Sequence, residues 1–111
     1  MNASKIQQGA VTIITVQGPM MAEELYVLDD VLEECVAGGQ LRIVFDMRQV
    51  PFIDSAGLEK LQAIVSDVGK RGGDARVASL SDVCRDIFTA TRLESFVQVF
   101  SDREAAVRSL L

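Results

Sequence analysis

The chain has 111 residues, about half of them apolar, and a formal net charge of −5. That length supports one hydrophobic core rather than two, and the scattered basic residues form neither a nucleic-acid footprint nor a polybasic membrane patch. No apolar run approaches the roughly 20 residues needed to cross a bilayer, and the opening MNASKIQQGA lacks the charged start and apolar run of a signal peptide.

In chain order, VTIITVQG (11–18) is rich in β-branched residues and stops at Gly18-Pro19, which predicts a strand. SKIQQ before it, with Gln8-Gly9-Ala10 as the turn, fits a hairpin partner. In MAEELYVLDDVLEECVAGG, Met21, Leu25, Leu28, Leu32 and Cys35 recur at helical spacing with acids between them, and Gly38-Gly39 marks a stop. LRIVFDM (41–47) is nearly continuously apolar, as a strand covered on both faces is.

After the connector Arg48-Gln49-Val50-Pro51, the residues Val50, Phe52 and Ile53 are expected to anchor the chain just before Asp54-Ser55. A second helix follows, with Leu58, Leu61, Val65 and Val68 as its core stripe and an end near Gly69. ARVASL (75–80) reads as a strand, and Ser81-Asp82 as the cap of a short helix through Val83, Ile87 and Phe88. SFVQVF (95–100) alternates like a strand. Ser101 with Glu104 fits a capping box on a closing helix that packs Val107 and Leu110. Helical and strand patterns thus alternate, predicting an α/β fold: one domain over 1–111, its mostly parallel sheet made mixed by the first hairpin.

The chemistry-bearing residues are few. There is no histidine and no CxxC, which removes His-dependent triads and the usual zinc ligand sets. No cofactor or metal is implied. Cys35 and Cys84 fall within helix-like apolar patterns and read as buried, reduced thiols, in keeping with a cytoplasmic protein. Ser55 lacks a G-x-S-x-G elbow and a histidine base, and Lys60, the possible substitute, comes with no supporting motif, which argues against serine hydrolysis. Asp46 and Asp54 fit ordinary terminal or loop acids. Asp54 and Ser55 are both good helix caps, and a cap is a sufficient reason for either. A residue at the front of a helix also meets free N–H groups and the positive end of the macrodipole, a place that tolerates added phosphate. From the residues alone, both readings of Ser55 stay open.

A resemblance adds to this. VFDM, the connector, VPFIDSAGLEKL, GKRGGDARVASL, VCRDIF and FVQVF together resemble the STAS domain of bacterial anti-sigma factor antagonists, from about residue 8 to the C-terminus. The sharpest part is Asp54-Ser55-Ala56-Gly57-Leu58, similar to the family's Asp-Ser-(Ser/Thr/Ala)-Gly-Leu. The resemblance implies a STAS-like α/β fold and a regulatory role rather than catalysis. It implies that Ser55 is phosphorylated by a serine-kinase anti-sigma factor, that the unphosphorylated form binds this factor and frees sigma, and that a phosphatase resets it. Asp54, Ser55, Ala56, Gly57 and Leu58 would form the docking surface.

Two departures stand out. Where antagonists carry Gly-Glu-(Leu/Ile/Val)-Asp, this chain has Gly18-Pro19-Met20-Met21, with Met21 in place of the aspartate. Met20 and Met21 are expected either as an exposed apolar contact patch or, for Met21, as the head of a core stripe. A Ser-Gly-Leu-like turn is replaced by Thr91-Arg92-Leu93. The second function compatible with this pattern is a STAS scaffold of a signalling complex or transporter, with Ser55 acting only as an N-cap. Self-association into a homodimer stays open.

Overall fold

The β-branched run at Val11 finds its partner immediately upstream. In the computed structural model, which describes residues 1–111, Asn2–Gln8 (β1) pairs antiparallel with Val11–Gln17 (β2). From β2 to β5 successive strands are joined by helical crossovers, so the neighbouring strands run parallel. The elements are helix Tyr26–Ala37 (α1), strand Arg42–Gln49 (β3), helix Ser55–Lys70 (α2) and strand Asp74–Ala78 (β4). Helix Asp82–Ala90 (α3), strand Val99–Phe100 (β5) and helix Arg103–Ser109 (α4) complete the chain. The sheet order is β1-β2-β3-β4-β5.

Alternation within the strands divides the core in two. Ile14, Val16, Ile43, Phe45, Met47 and Val77 point to one face, where α1, α2 and α3 cover them with Leu28, Cys35, Leu61, Val68 and Phe88. Val11, Ile13, Val44 and Ala78 point to the other, where α4 packs Ala106, Val107 and Leu110. The central strand is apolar on both faces from Ile43 to Phe45 for this reason. Asp46, on the α4 face of β3, is buried rather than a loop acid. Its carboxylate accepts from the Arg48 N–H at 3.1 Å and lies 3.5 Å from the Arg103 guanidinium of α4. Cys35 and Cys84 are buried and unpaired, and burial pushes both thiols up in pKa, which makes them poor nucleophiles.

Several local expectations are corrected. SFVQVF is not a six-residue strand: Leu93–Ser95 forms a 3-10 turn, Phe96 is 64% exposed, and only Val99 and Phe100 pair with β4. The edge position explains this, since β4 offers a partner only through Val77 and Ala78. The cap of α4 is Asp102, whose carboxylate accepts from Ala105 N at 2.7 Å; the shift by one residue from Ser101 puts Glu104 out of capping-box position. Ser81 does cap α3, accepting from Cys84 N at 3.2 Å, but Val83 faces solvent and Cys84 takes its place in the core. Met21 does not head the stripe of α1. The segment Ala22–Glu24 is a separate 3-10 turn, and the helix proper buries Leu28, Val31 and Cys35, with Leu32 at its margin. In α2 the buried set is Gly57, Leu61, Ile64 and Val68, with Leu58 and Val65 at the margin.

Arg92 is left-handed, at φ 59 and ψ 23, where it ends α3 and opens the following turn. A side chain there is strained by about 1–2 kcal/mol, a cost that glycine escapes but partly returns as unfolded-state entropy. Arg92→Gly is expected to raise unfolding free energy by about 0.5–1 kcal/mol in urea titration.

Candidate functional site

The site is built where two chain segments leave the parallel pair β2–β3 and continue side by side. The N–H of Gly18 donates to the Gln49 carbonyl at 2.9 Å, that of Met20 to Phe52 at 2.9 Å, and that of Asp54 back to Met20 at 3.1 Å. Met20 and Ile53 form a parallel bridge, so the ladder extends past both strands. Pro51 favours the extended backbone this requires of Val50. From the other side, the Ser81 hydroxyl and the Cys84 thiol of the α3 region both donate to the Val50 carbonyl, at 3.2 and 3.3 Å.

Asp54 then ends the extended segment and caps α2. Its backbone is extended (φ −85, ψ 178), Oδ1 accepts from Gly57 N at 2.7 Å, and Oδ2 accepts from Ala22 N at 3.0 Å. One carboxylate therefore satisfies a helix-end donor and fastens the segment after β2 to the helix after β3. Ser55 is consequently not the cap. It is the first residue of α2, exposed, with no hydrogen bond to its hydroxyl. This corrects the N-cap reading of Ser55 and leaves its oxygen accessible on a fixed backbone.

Gly57 is demanded by close approach. A Cβ there would sit 2.7 Å from the Met20 carbonyl oxygen and 2.8 Å from Ile53 Cγ2. Only a residue without a side chain lets α2 start so near the Met20 strand.

The residues expected to form the docking surface around Ser55 differ in exposure. Asp54, Ala56 and Leu58 are half-buried beside it, and Met21 is 36% exposed. Met20 is fully buried and Gly57 is buried too, so neither presents a side chain to a partner; the expected exposed methionine pair is a single methionine. Met20 is sealed because it points into the core from the extended ladder, and alternation turns Met21 outward. Phe52 was expected to anchor the approach with Val50 and Ile53, but it is 44% exposed while those two are buried. Ile53 takes the inward position at its bridge with Met20, which turns its neighbour Phe52 outward.

The STAS domain family matches residues 2–106. The chain belongs to the STAS domain family.

Structures similar to this STAS domain include an anti-sigma factor antagonist from Mycobacterium paratuberculosis, at TM-score 0.88 and 20% identity, covering 98% of this chain and 92% of that one. The anti-sigma factor antagonist SpoIIAA in its unphosphorylated form gives TM-score 0.71 at 14% identity, covering 96% of each chain. A sulfate transporter family protein from Wolinella succinogenes gives TM-score 0.74 at 21% identity, covering 96% of this chain and 88% of that one. At these identities the likeness establishes the fold. No curated protein is significantly similar to the chain in sequence. No helix of this STAS domain is long and apolar enough to cross a membrane.

The division of labour at the helix start is measurable. Asp54→Ala is expected to cost about 1–2 kcal/mol, because it removes the cap and strands two donors, whereas Ser55→Ala should fall within about 0.5 kcal/mol of wild type. Gly57→Ala is expected to cost about 1–3 kcal/mol through overlap with Met20 and Ile53. Urea unfolding of the three variants checks the order.

Proposed function

We propose that this STAS domain is a phosphorylation-controlled anti-sigma factor antagonist. With Ser55 unmodified it binds a serine-kinase anti-sigma factor and so frees sigma; phosphate on Ser55 ends the complex, and a phosphatase restores it. The observation that carries the reading is the exposed Ser55 hydroxyl, unused by the fold, beside an Asp54 that does the capping. The phosphorylation step is ordinary group transfer: Ser55 Oγ forms a bond to the γ-phosphorus of ATP, the bond to ADP breaks, and the hydroxyl proton passes to the kinase. The domain is the substrate of this step, not its catalyst. SpoIIAA, which has the same fold, is known in a phosphorylated form as well as an unphosphorylated one, which supports the reading by analogy.

The energetics favour a switch without refolding. Phosphate adds about −1.5 to −2 charge. On the free domain it meets the N-terminal end of α2, which is mildly favourable, about 0.3–1 kcal/mol. In a complex it must lose water beside the Asp54 carboxylate, at a penalty of several kcal/mol. About 1.4 kcal/mol already changes affinity tenfold. Met21, standing where antagonists carry an aspartate, removes one acid from the neighbourhood. That substitution favours the second reading, a scaffold STAS domain whose Ser55 is never modified.

Incubation with candidate anti-sigma kinases and ATP, read by mass spectrometry, separates the two. Phosphate is expected on Ser55 and lost in Ser55→Ala. In titration calorimetry Ser55→Asp should bind the cognate kinase at least about tenfold more weakly, with Ser55→Ala near wild type. A partner that binds the domain but leaves Ser55 unmodified, and binds Ser55→Asp equally well, overturns the switch in favour of the scaffold.

A further inference from the structure

Beyond the first turn of α2 lies a surface that the phosphorylation reading does not use. Helices α1 and α2 both pack on the sheet but stand apart from each other, leaving an open groove of about 560 Å³ between them. Its apolar lining comes from Leu32 and Val36 on α1 and from Ala63 and Ile64 on α2. Together with Asp29 and Glu33 on α1 and Lys60 and Asp67 on α2 they form one stripe per helix, recurring at three and four residues, so the groove follows the helix axes. From Asp29 to Ala37 the α1 wall rises about 12 Å, a little over two helical turns.

The walls differ in charge. Helix α1 carries Asp29, Asp30, Glu33 and Glu34 and no basic residue. The two cations of the groove stand on α2, and each is already held: Lys60 by Asp29 at 3.0 Å across the groove, and Arg71 by Asp67 at 3.1 Å. Of the α1 acids that line the groove, Asp29 is held by Lys60 and Glu33 has no ion-pair partner; Asp30, also unpaired, follows next to Asp29 in the chain. The groove thus offers apolar contact between the helices and unneutralised negative charge along one rim.

We propose that this groove docks an amphipathic α-helix of a partner protein, its apolar edge between α1 and α2 and a Lys/Arg flank against α1. A helix fits because the groove offers no strand edge. An entering backbone must satisfy its own N–H and C=O groups, which a helix does and an extended peptide does not. Two to three turns match the length of the lining, with anchors at i, i+3 or i+4, and i+7. The basic flank follows from the charge on α1. The surface begins at Lys60, past the first turn of α2, so occupying it requires no contact with Ser55.

The test is an NMR titration of the ¹⁵N-labelled full chain with an amphipathic Leu/Lys peptide of about four turns, and with a Leu/Glu peptide of the same apolar pattern. The Leu/Lys peptide is expected to shift amides of α1 and α2, and the Leu/Glu peptide to shift none. Ala63 is exposed, so Ala63→Arg blocks the groove on a folded domain and should weaken binding at least about tenfold. Ala90→Arg, on exposed α3, adds the same charge elsewhere and should bind as wild type. Glu33→Lys should weaken binding more than Glu104→Lys on α4, with thermal melts verifying all four folds. Shifts spread over the whole acidic surface, equal losses in groove and control variants, or equal binding of the two peptides would each overturn the proposal.

Discussion

The Asp54 carboxylate, shared between two chain segments, is the constraint on which the head of α2 depends. One oxygen holds Gly57 N and the other holds Ala22 N. Without this double acceptor the segment after β2 and the helix after β3 would each keep an unsatisfied donor, and their relative position would rest on the Met20–Ile53 bridge and on packing around Gly57. Its consequence for chemistry is indirect but decisive. Because Asp54 caps, Ser55 does not have to. A serine that capped α2 through its own oxygen would break a structural hydrogen bond whenever that oxygen was modified. Placed one residue later, the hydroxyl can change without disturbing the helix start. Asp54 thus takes the structural duty and leaves the neighbouring hydroxyl out of it.

The surroundings make that arrangement stiff. The Val50 carbonyl is held by Ser81 and Cys84, Ile53 is sealed in the core, and Gly57 lets the helix abut Met20 with no room to spare. A conformational switch here would have to break these contacts together. The proposed control therefore acts as a local change of charge on a fixed surface. This suits a small domain, whose marginal stability leaves little to invest in rearrangement.

Much of this was legible in the residues, and the failures share a cause. Strands β2, β3 and β4 and helix α2 announce themselves through period-two or helical patterning over five or more residues, bounded by Gly, Pro or cap residues. What pattern does not fix is which of two neighbouring cap-type residues leaves helical backbone. Asp54-Ser55 and Ser101-Asp102 both pose that choice, and backbone geometry selects the aspartate in each. Met20-Met21 and Phe52-Ile53 pose a similar choice of face: one residue of each pair goes in and one out, once the bridge sets the register. SFVQVF misleads because its alternation exceeds what a two-residue edge pairing uses. The α1–α2 groove had no signature at all. It arises from the separation of two helices, which the sheet beneath them determines.

Met21 and Phe52 bear on how a partner could tell serine from phosphoserine in this chain. With an aspartate at position 21, a phosphate on Ser55 would face two carboxylates, and discrimination could rest on repulsion. Here the acid is gone, and both oxygens of Asp54 already accept hydrogen bonds, so that Coulomb contribution is reduced. The flanking exposed side chains are instead a thioether and a phenyl ring. A partner that covers them must also dry the neighbouring hydroxyl. Drying a hydroxyl costs little if it finds one acceptor, whereas drying a dianion with no cation opposite costs several kcal/mol. In the proposed switch an apolar rim can therefore discriminate through desolvation where an acidic rim would do so through repulsion. The two differ in kind, because desolvation at a sealed contact responds weakly to ionic strength, while repulsion between partly solvated charges is screened within about 8–10 Å.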